Sequence, residues 1–233
     1  MALVRGGAGV GKTRLVAEVA ELARGQGAVV TSTRCFGDSG RLAMAPVADW
    51  LRDPAVQSAA ATLDAAWRAE VGRLIPAGGH GKGTRALADA WQRHRFFEGL
   101  ARALQAVGRP LLLVLDNMQW CDQETLAFVT FCLTRAHDAP LLVAATARDD
   151  GRGDSPEVAD WTVRMRATGL LTELPLTPLE AAETARLARA VSGEALAETD
   201  AELLHATTGG FPLFVIEAMR AMSFTKLYTL PWQ

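Results

Sequence analysis

The chain has 233 residues, of which 49% are hydrophobic and 21% are charged, and its formal net charge is -2 at pH 7. This composition is typical of a globular protein with a full core, and it excludes disordered, collagen-like and disulfide-stapled classes. Because the charge is balanced, there is no basic field to release counterions, and we expect no direct nucleic acid binding by this segment.

The cysteines and the apolar runs bear on the cellular compartment. Cys35, Cys121 and Cys132 lack the spacing of metal ligands or of a redox pair, so we expect three ordinary buried thiols in a reducing compartment. The apolar runs at residues 111–115 and 140–145 are far shorter than the roughly 18 residues of a membrane span, and the start of the chain has no signal-peptide core. The sequence therefore predicts a cytoplasmic protein without membrane contact.

The chain begins with a short predicted strand, residues 2–5, which leads into a glycine-rich segment, residues 6–13. A helix is expected next, because apolar residues recur at helical spacing and predict one buried face: Leu15, Val16, Val19, Leu22 and Ala23. Residues 28–35 are rich in β-branched side chains and predict a second strand.

Residues 36–83 predict a helical insertion. Helical pieces are expected around residues 47–52 and 60–75, separated by Pro46, Pro54 and Pro76. The glycine-rich stretch at residues 76–83 favours a mobile loop over a second phosphate cradle, because no strand pattern leads into it. A long amphipathic helix over residues 85–107 is expected to follow.

The middle of the chain alternates apolar strands with helices. Residues 111–115 predict a strand buried on both faces of a parallel sheet, and Asp116 follows it directly. Asp122 is expected to cap a helix over residues 123–136. Residues 141–145 predict another buried strand, residues 149–155 a polar loop, and residues 170–176 a last strand.

Helices alone are predicted for the end of the chain. Capping-box patterns at residues 177–180 and 199–202 predict two helix starts, and a Gly-Gly-Phe-Pro break precedes a last helix over residues 213–222. Strands alternating with helices, followed by helices alone, predict an α/β fold with a three-layer parallel sheet and a small C-terminal helical subdomain. The predicted division is a core over 1–176 containing the insertion, a helical lid over 177–222, and a tail over 223–233.

The glycine-rich segment carries the clearest chemical signal. Residues 6–13 match G-x-x-x-x-G-K-[ST] at every fixed position and lie between a predicted strand and a predicted helix. In such a loop backbone N–H groups point at phosphate oxygens, the lysine reaches the terminal phosphates, and the hydroxyl binds Mg²⁺ at a helix N-terminus. The alternative is a glycine-rich turn that binds nothing. The motif predicts a P-loop NTPase fold with a nucleotide site at these residues: Gly6, Gly7, Ala8, Gly9, Val10, Gly11, Lys12, Thr13 and Arg14.

Polar residues at two predicted strand ends complete the predicted catalytic set with Lys12. Asp116 lies where open α/β sheets hold ligands, so we expect it to bind Mg²⁺ together with Thr13, the alternative being an aspartate that starts a turn. Asn117 can hydrogen-bond a water but cannot take its proton, which predicts slow or absent hydrolysis. Arg148 is either a sensor of the γ-phosphate or a solvated surface arginine. A guanine-reading motif is missing from the sequence, so ATP or ADP is the favoured ligand.

The sequence also resembles a known family. Residues 111–122, LLLVLDNMQWCD, are similar to the Walker B segment of the STAND class of P-loop ATPases, in particular the ATPase module of large LuxR-type bacterial transcriptional regulators. Further blocks are similar to the same family: Arg34-Cys35-Phe36 with residues 39–43, Phe96-Phe97-Glu98, Thr146-Ala147-Arg148, and residues 208–214. The resemblance spans residues 1–222 and implies an ATP/ADP-dependent regulatory switch whose partners are other domains or subunits of a regulator. It also implies that Pro212 approaches the nucleotide and couples its state to those partners.

The chain departs from the family pattern at several points. Asn117 stands where a second acid is usual, and Phe211 stands where asparagine is usual. Few residues precede Gly6 and no DNA-binding or repeat pattern follows, so the chain resembles a fragment of a longer regulator. These features leave a slow ATP phosphohydrolase and a non-hydrolysing interaction or scaffold module as competing functions. A small-molecule kinase is disfavoured, because the sequence shows no evident acceptor pocket or arginine-rich phosphate lid.

Overall fold

The strands form one parallel sheet. A computed structural model describes residues 1–37, 43–75, 89–135, 140–149 and 155–228, with the backbone alone for residues 223–228. Within these residues five strands lie in the order β2-β3-β4-β1-β5. They are β1 (Ala2–Gly6), β2 (Val29–Arg34), β3 (Leu111–Asp116), β4 (Leu141–Arg148) and β5 (Thr172–Pro175). The predicted α/β parallel sheet is confirmed.

The helices connect these strands and then continue alone. The connecting helices are α1 (Lys12–Gly25), α2 (Ala45–Leu51), α3 (Pro54–Ala60), α4 (Ala65–Leu74), α5 (Ala90–Gln105), a 3-10 helix (Met118–Trp120), α6 (Gln123–Arg135) and α7 (Pro156–Ala167). After β5 come α8 (Ala181–Ser192), α9 (Glu198–Thr208) and α10 (Pro212–Tyr228). Some predicted segments lie outside the described residues: the loop at 76–83, the start of the helix over 85–107, residues 39–42, most of the polar loop at 149–155 and the end of the tail.

Two hydrophobic clusters lie on opposite faces of the sheet and give the fold its three layers. All six residues of β3 are buried, which confirms the strand predicted to be buried on both faces. The larger cluster joins α2, α5, α6 and α7 to one face through large side chains such as Trp50, Phe96, Phe128 and Trp161. The smaller cluster joins α1 to the other face.

The predicted buried face of α1 is wrong in part. Leu15, Val19 and Leu22 are 40%, 38% and 67% exposed, whereas Val16 and Ala20 are buried against the sheet. No second helix contributes residues to this cluster within the described chain, so the flanks of α1 have no neighbour that would bury them. Helical periodicity found the right side of the helix but overestimated the width of the packed stripe.

Several predicted helix starts also differ. Pro46 and Pro54 lie in the first turns of α2 and α3, where the missing N–H costs nothing, so these prolines begin helices instead of interrupting them. The capping box of α8 is formed by Glu180 and Glu183, not by the residues at 177–180. The N-cap of α9 is Ala197, which has no capping side chain, and the box predicted at 199–202 is wrong.

The segment between β4 and β5 holds a helix that was not predicted. Ser155 caps α7 by accepting a hydrogen bond from the N–H of Val158, and Pro156 occupies its first turn. The predicted last strand, residues 170–176, is shortened to the four residues of β5. None of the helices in the described ranges has the length and apolar character needed to cross a bilayer.

The last three helices pack on one another. Ala188, Leu204, Val215 and Met219 form a small hydrophobic cluster that belongs to α8, α9 and α10. The turn before α10 also contacts the segment between β5 and α8, because the N–H of Leu179 donates to the carbonyl of Gly210. The predicted domain boundaries, at residues 176 and 222, stay predictions.

Candidate nucleotide-binding site

The loop between β1 and α1 is shaped by its glycines. Gly9 and Gly11 have φ values of +80° and +104°, in the left-handed region where a side chain is strained. Gly11 is the N-cap of α1, and no side chain caps this helix. The N–H groups of the first turn are therefore available to an anion, which the helix dipole also favours.

Lys12 places its positive charge inside the loop. Its side chain is buried, and its Nζ donates to the carbonyl oxygens of Gly6 at 2.9 Å and Gly7 at 2.8 Å. A buried ammonium group requires such partners, because its hydration has been lost. The charge lies beside the uncapped start of α1, so the loop residues fit a polyphosphate group.

The carboxylate of Asp116, at the end of β3, accepts hydrogen bonds from residues of the two neighbouring strands and from the start of α1. Its Oδ1 accepts hydrogen bonds from Thr13 Oγ1 at 3.0 Å and from Thr146 Oγ1 at 2.6 Å, and its Oδ2 accepts one from Arg34 Nε at 2.8 Å. Thr13 and Asp116, the pair predicted to bind Mg²⁺, therefore meet although 103 positions separate them in sequence. A carboxylate beside a hydroxyl is the oxygen donor set that suits Mg²⁺.

Asn117 has an unusual backbone conformation. Its φ of 59° and ψ of 47° lie in the left-handed region, which asparagine tolerates better than most residues. Its N–H donates to Thr146 Oγ1 at 3.0 Å, so Thr146 holds both Asp116 and the residue that follows it. The backbone of Asn117 is thus held at the carboxyl edge of the sheet, directly after the predicted metal ligand.

The next two carboxylates after Asn117, those of Asp122 and Glu124, already have hydrogen-bond or ion-pair partners. Asp122 accepts hydrogen bonds from the backbone N–H groups of Thr125 at 3.0 Å and Met44 at 3.1 Å, which confirms that it caps α6. Its other oxygen accepts from the Thr125 hydroxyl at 2.7 Å. Glu124 pairs with Arg93 at 3.0 Å. Neither group is placed to replace a missing general base without giving up these partners.

The remaining predicted site residues lie around the loop. Arg148 ends β4 opposite Gly6 in the β1–β4 register, and its side chain is exposed. Arg14 is exposed and forms an ion pair with Glu18 on the surface of α1. Val10 is buried beneath the loop and Ala8 is exposed. The ligand contacts predicted for these residues stay predictions.

The turn before α10 lies directly on the loop. Pro212 begins α10, and the N–H of the next residue, Leu213, donates to the carbonyl of Gly9 at 3.2 Å. The ring of Phe211 would lie 3.0 Å from a Cβ at Gly7, and the Cβ of Leu213 would lie 3.1 Å from a Cβ at Gly9. A side chain at either glycine would therefore require Phe211 or Leu213 to shift by a few tenths of an ångström.

Thr146, Arg34 and Gln119 were not predicted as site residues. Thr146 and Arg34 contact Asp116 because β4 and β2 flank β3, and that adjacency is invisible in the sequence until the strand order is known. Gln119 lies in the 3-10 helix after Asn117 and is 5% exposed. Among the described residues, neither its side-chain oxygen nor its nitrogen has a hydrogen-bond partner.

The three cysteines are buried and free, as predicted. The pKa of Cys121 lies well above its ordinary value because its side chain hydrogen-bonds to Cys35 and because it is buried. Burial raises the pKa of Cys132 to about 12. Cys121 and Cys132 therefore stay protonated near neutral pH, which makes them poor nucleophiles.

The fold and the site together define a class of protein. A glycine-rich loop joins the first strand of a parallel sheet to a helix, and a carboxylate at the end of another strand contacts the loop threonine. This arrangement is that of a P-loop NTPase. Residues 1–144 match the family model of the AAA ATPase domain, and the chain belongs to that family.

Solved structures agree on the fold. A RuvB variant from Thermotoga maritima superposes with a TM-score of 0.50 at 12% identity, over 94% of this chain and 54% of RuvB. AMPPCP-bound DnaA from Aquifex aeolicus gives a TM-score of 0.50 at 14% identity, over 98% of this chain and 55% of DnaA. The chain thus spans about half the length of these proteins. No curated protein matches it by sequence.

Proposed function

We propose that the chain is an ATP/ADP-binding regulatory switch module with slow or absent ATP hydrolysis, of the STAND class found in LuxR-type transcriptional regulators. The observation that carries the proposal is the contact between Thr13 and Asp116 beside the buried Lys12. This contact brings the residue proposed to bind Mg²⁺ from the end of β3 next to the phosphate loop, although the two lie far apart in sequence. Membership of the AAA ATPase domain family supports the nucleotide-binding part of the proposal.

The loop residues would hold the nucleotide through its phosphates. The N–H groups at the start of α1 and the ammonium group of Lys12 supply donors and positive charge. Thr13 and Asp116 would hold Mg²⁺, which neutralises charge on the terminal phosphates when bound. Thr146 keeps the Asp116 carboxylate oriented through a 2.6 Å hydrogen bond.

Slow hydrolysis follows from the residue after Asp116. An Asn117 amide can hold a water molecule but cannot accept its proton. Asp122 and Glu124, the next acids along the chain, already bind a helix N-terminus and an arginine. Without a general base the bound nucleotide would persist, which suits a switch better than a rapid ATPase.

The switch would act through the turn before α10. Leu213 donates to Gly9 within the phosphate loop, and Phe211 packs on Gly7. This turn contacts the same loop that would bind the phosphates. We therefore expect nucleotide binding to alter the position of α8–α10, and the position of α8–α10 to alter nucleotide affinity. Pro212 lies at this junction. We propose residues 177–222 as the lid, and other domains or subunits of a regulator as the partners that respond to it.

Calorimetric titration of the protein with Mg-ADP and Mg-ATP tests this proposal. Lys12→Ala removes the loop cation, so affinity should fall tenfold or more, which corresponds to about 1.5–3 kcal/mol for a charged hydrogen bond. Arg24→Ala is the matched control, because it removes a positive charge from the far end of the same helix. Equal affinities for Lys12→Ala and the control, or no binding by the wild type, would contradict the proposal.

A further inference from the structure

Asp116 has a charged partner that the phosphate loop does not supply. Arg34 ends β2 directly opposite Asp116 in the β2–β3 register. Its Nε donates to Oδ2 at 2.8 Å, while the hydroxyls of Thr13 and Thr146 donate to Oδ1. One carboxylate oxygen thus meets two neutral donors, and the other meets a full positive charge.

The rest of the Arg34 side chain points away from this contact. The side chain is 53% exposed, whereas that of Asp116 is only 9% exposed. In the described part of the chain, Nε is the only side-chain nitrogen of Arg34 that forms a hydrogen bond. A cavity of about 400 Å³ adjoins the pair and is also lined by Thr13 and Phe36. The guanidinium group therefore borders open space on the same side as the predicted metal ligands.

The negative charge of Asp116 opposes the binding of a nucleotide unless a cation offsets it. A nucleotide brings several negative charges close to the nearly buried carboxylate of Asp116, and like charges in such a site repel strongly. A cation must offset that repulsion. Mg²⁺ is one candidate, but Arg34 already forms an ion pair with the same carboxylate, and arginine stays protonated at any physiological pH.

We propose that Arg34 is a built-in counter-ion of the nucleotide site, which neutralises Asp116 and makes nucleotide binding nearly independent of Mg²⁺. The inference rests on the proposed function and deepens it, because it names the residue that determines how strongly nucleotide affinity depends on Mg²⁺. Arg34 acts through Asp116, so it is a positioning residue. Its removal leaves Asp116 with its full charge, which repels the nucleotide when metal is absent and attracts Mg²⁺ when metal is present.

The test measures ADP affinity by calorimetry, once in EDTA and once in excess MgCl₂. For the wild type, the two affinities should differ by less than about threefold. For Arg34→Gln the affinity in EDTA should fall by about tenfold or more, the effect of losing a charged hydrogen bond, and Mg²⁺ should restore most of it. Arg34→Lys keeps the charge and should stay close to the wild-type ratio.

Arg52→Gln is the matched control. Arg52 is 55% exposed, close to the 53% of Arg34, and it pairs with Asp49 at 2.9 Å, so its removal takes away a similarly exposed arginine outside the site. For Arg52→Gln, the ratio of the ADP affinity in MgCl₂ to that in EDTA should equal the wild-type ratio. A wild type that needs Mg²⁺ for binding, or an unchanged ratio in Arg34→Gln, overturns the inference while ADP binding itself still stands. Absence of ADP binding in both solutions overturns the proposed function and this inference with it.

Discussion

Asn117→Asp is the substitution that addresses the proposed loss of hydrolysis most specifically. Aspartate and asparagine have nearly the same shape, and both tolerate the left-handed backbone that this residue adopts at φ 59°. The backbone hydrogen bond to Thr146 does not involve the side chain and is retained. The change therefore replaces an amide by a carboxylate and leaves the local structure in place.

The expected gain is that of a general base. Such a group contributes about 10²–10⁴ in rate, which corresponds to about 2.7–5.4 kcal/mol of activation free energy. The new carboxylate adds negative charge beside Asp116, but Arg34 already offsets part of that charge. ATP affinity should change little, because the phosphate contacts come from the loop and Lys12.

Phosphate release under single-turnover conditions measures the effect. Wild-type turnover should be near background, Asn117→Asp should be faster by at least about a hundredfold, and Asp116→Asn should stay inactive. Glu124→Gln is a control for the other nearby acid, which pairs with Arg93. Brisk wild-type turnover that Asn117→Asp does not raise would show that the general base has been sought in the wrong place.

Three further predictions concern stability. Mg-ADP at a hundredfold excess over its dissociation constant should raise the free energy of unfolding by about 2.7 kcal/mol, and by less in Lys12→Ala, as urea titration would show. Gly210 has a φ of +72° and a Cβ there would lie 2.1 Å from the carbonyl oxygen of Leu179, whereas Gly169, at +71°, has open space. Gly169→Ala should cost about 1–2 kcal/mol and Gly210→Ala about 1–3 kcal/mol more, and equal costs would contradict the tight turn. Gln119→Met removes a buried amide that lacks a partner among the described residues, so stability should rise by about 1–3 kcal/mol. A fall would show that the amide is satisfied.

The sequence predicted the elements whose signals are local. The phosphate loop is specified by its own glycines, its lysine and the strand and helix on either side. The strand before Asp116 is a continuous apolar run, which is the pattern of a strand buried on both faces. Asp122 was predicted as a cap for the same reason, since its hydrogen bond to Thr125 spans a single helical turn.

Features that depend on packing were predicted less well. Leu15, Val19 and Leu22 have the spacing of a buried face, but α1 packs on the sheet through Val16, Ala20 and Ala23. The width of a packed stripe depends on neighbouring helices, which the periodicity of one helix does not reveal. The helix α7 was missed although Ser155 and Pro156 form an ordinary helix start.

The environment of Asp116 depended on contacts between distant segments. Arg34 and Thr146 lie 82 and 30 positions away from it in sequence, and they reach it only because β2 and β4 flank β3. A prediction of strand order would have found both residues, since each is at or near the carboxyl end of its strand. The positions of Arg34 and Thr146 near strand ends were therefore visible in the sequence, but their contact with Asp116 could be inferred only once the strand order was known.

The nucleotide that copurifies with the protein tests the central claim most directly. The purified wild-type chain would be denatured, and the released nucleotides separated by ion-exchange chromatography and quantified against protein. We predict ADP or ATP in the wild type and far less in Lys12→Ala, because Lys12 lies inside the phosphate loop. A wild type that carries no adenine nucleotide, and that takes up none after incubation with ATP and MgCl₂, would contradict the account.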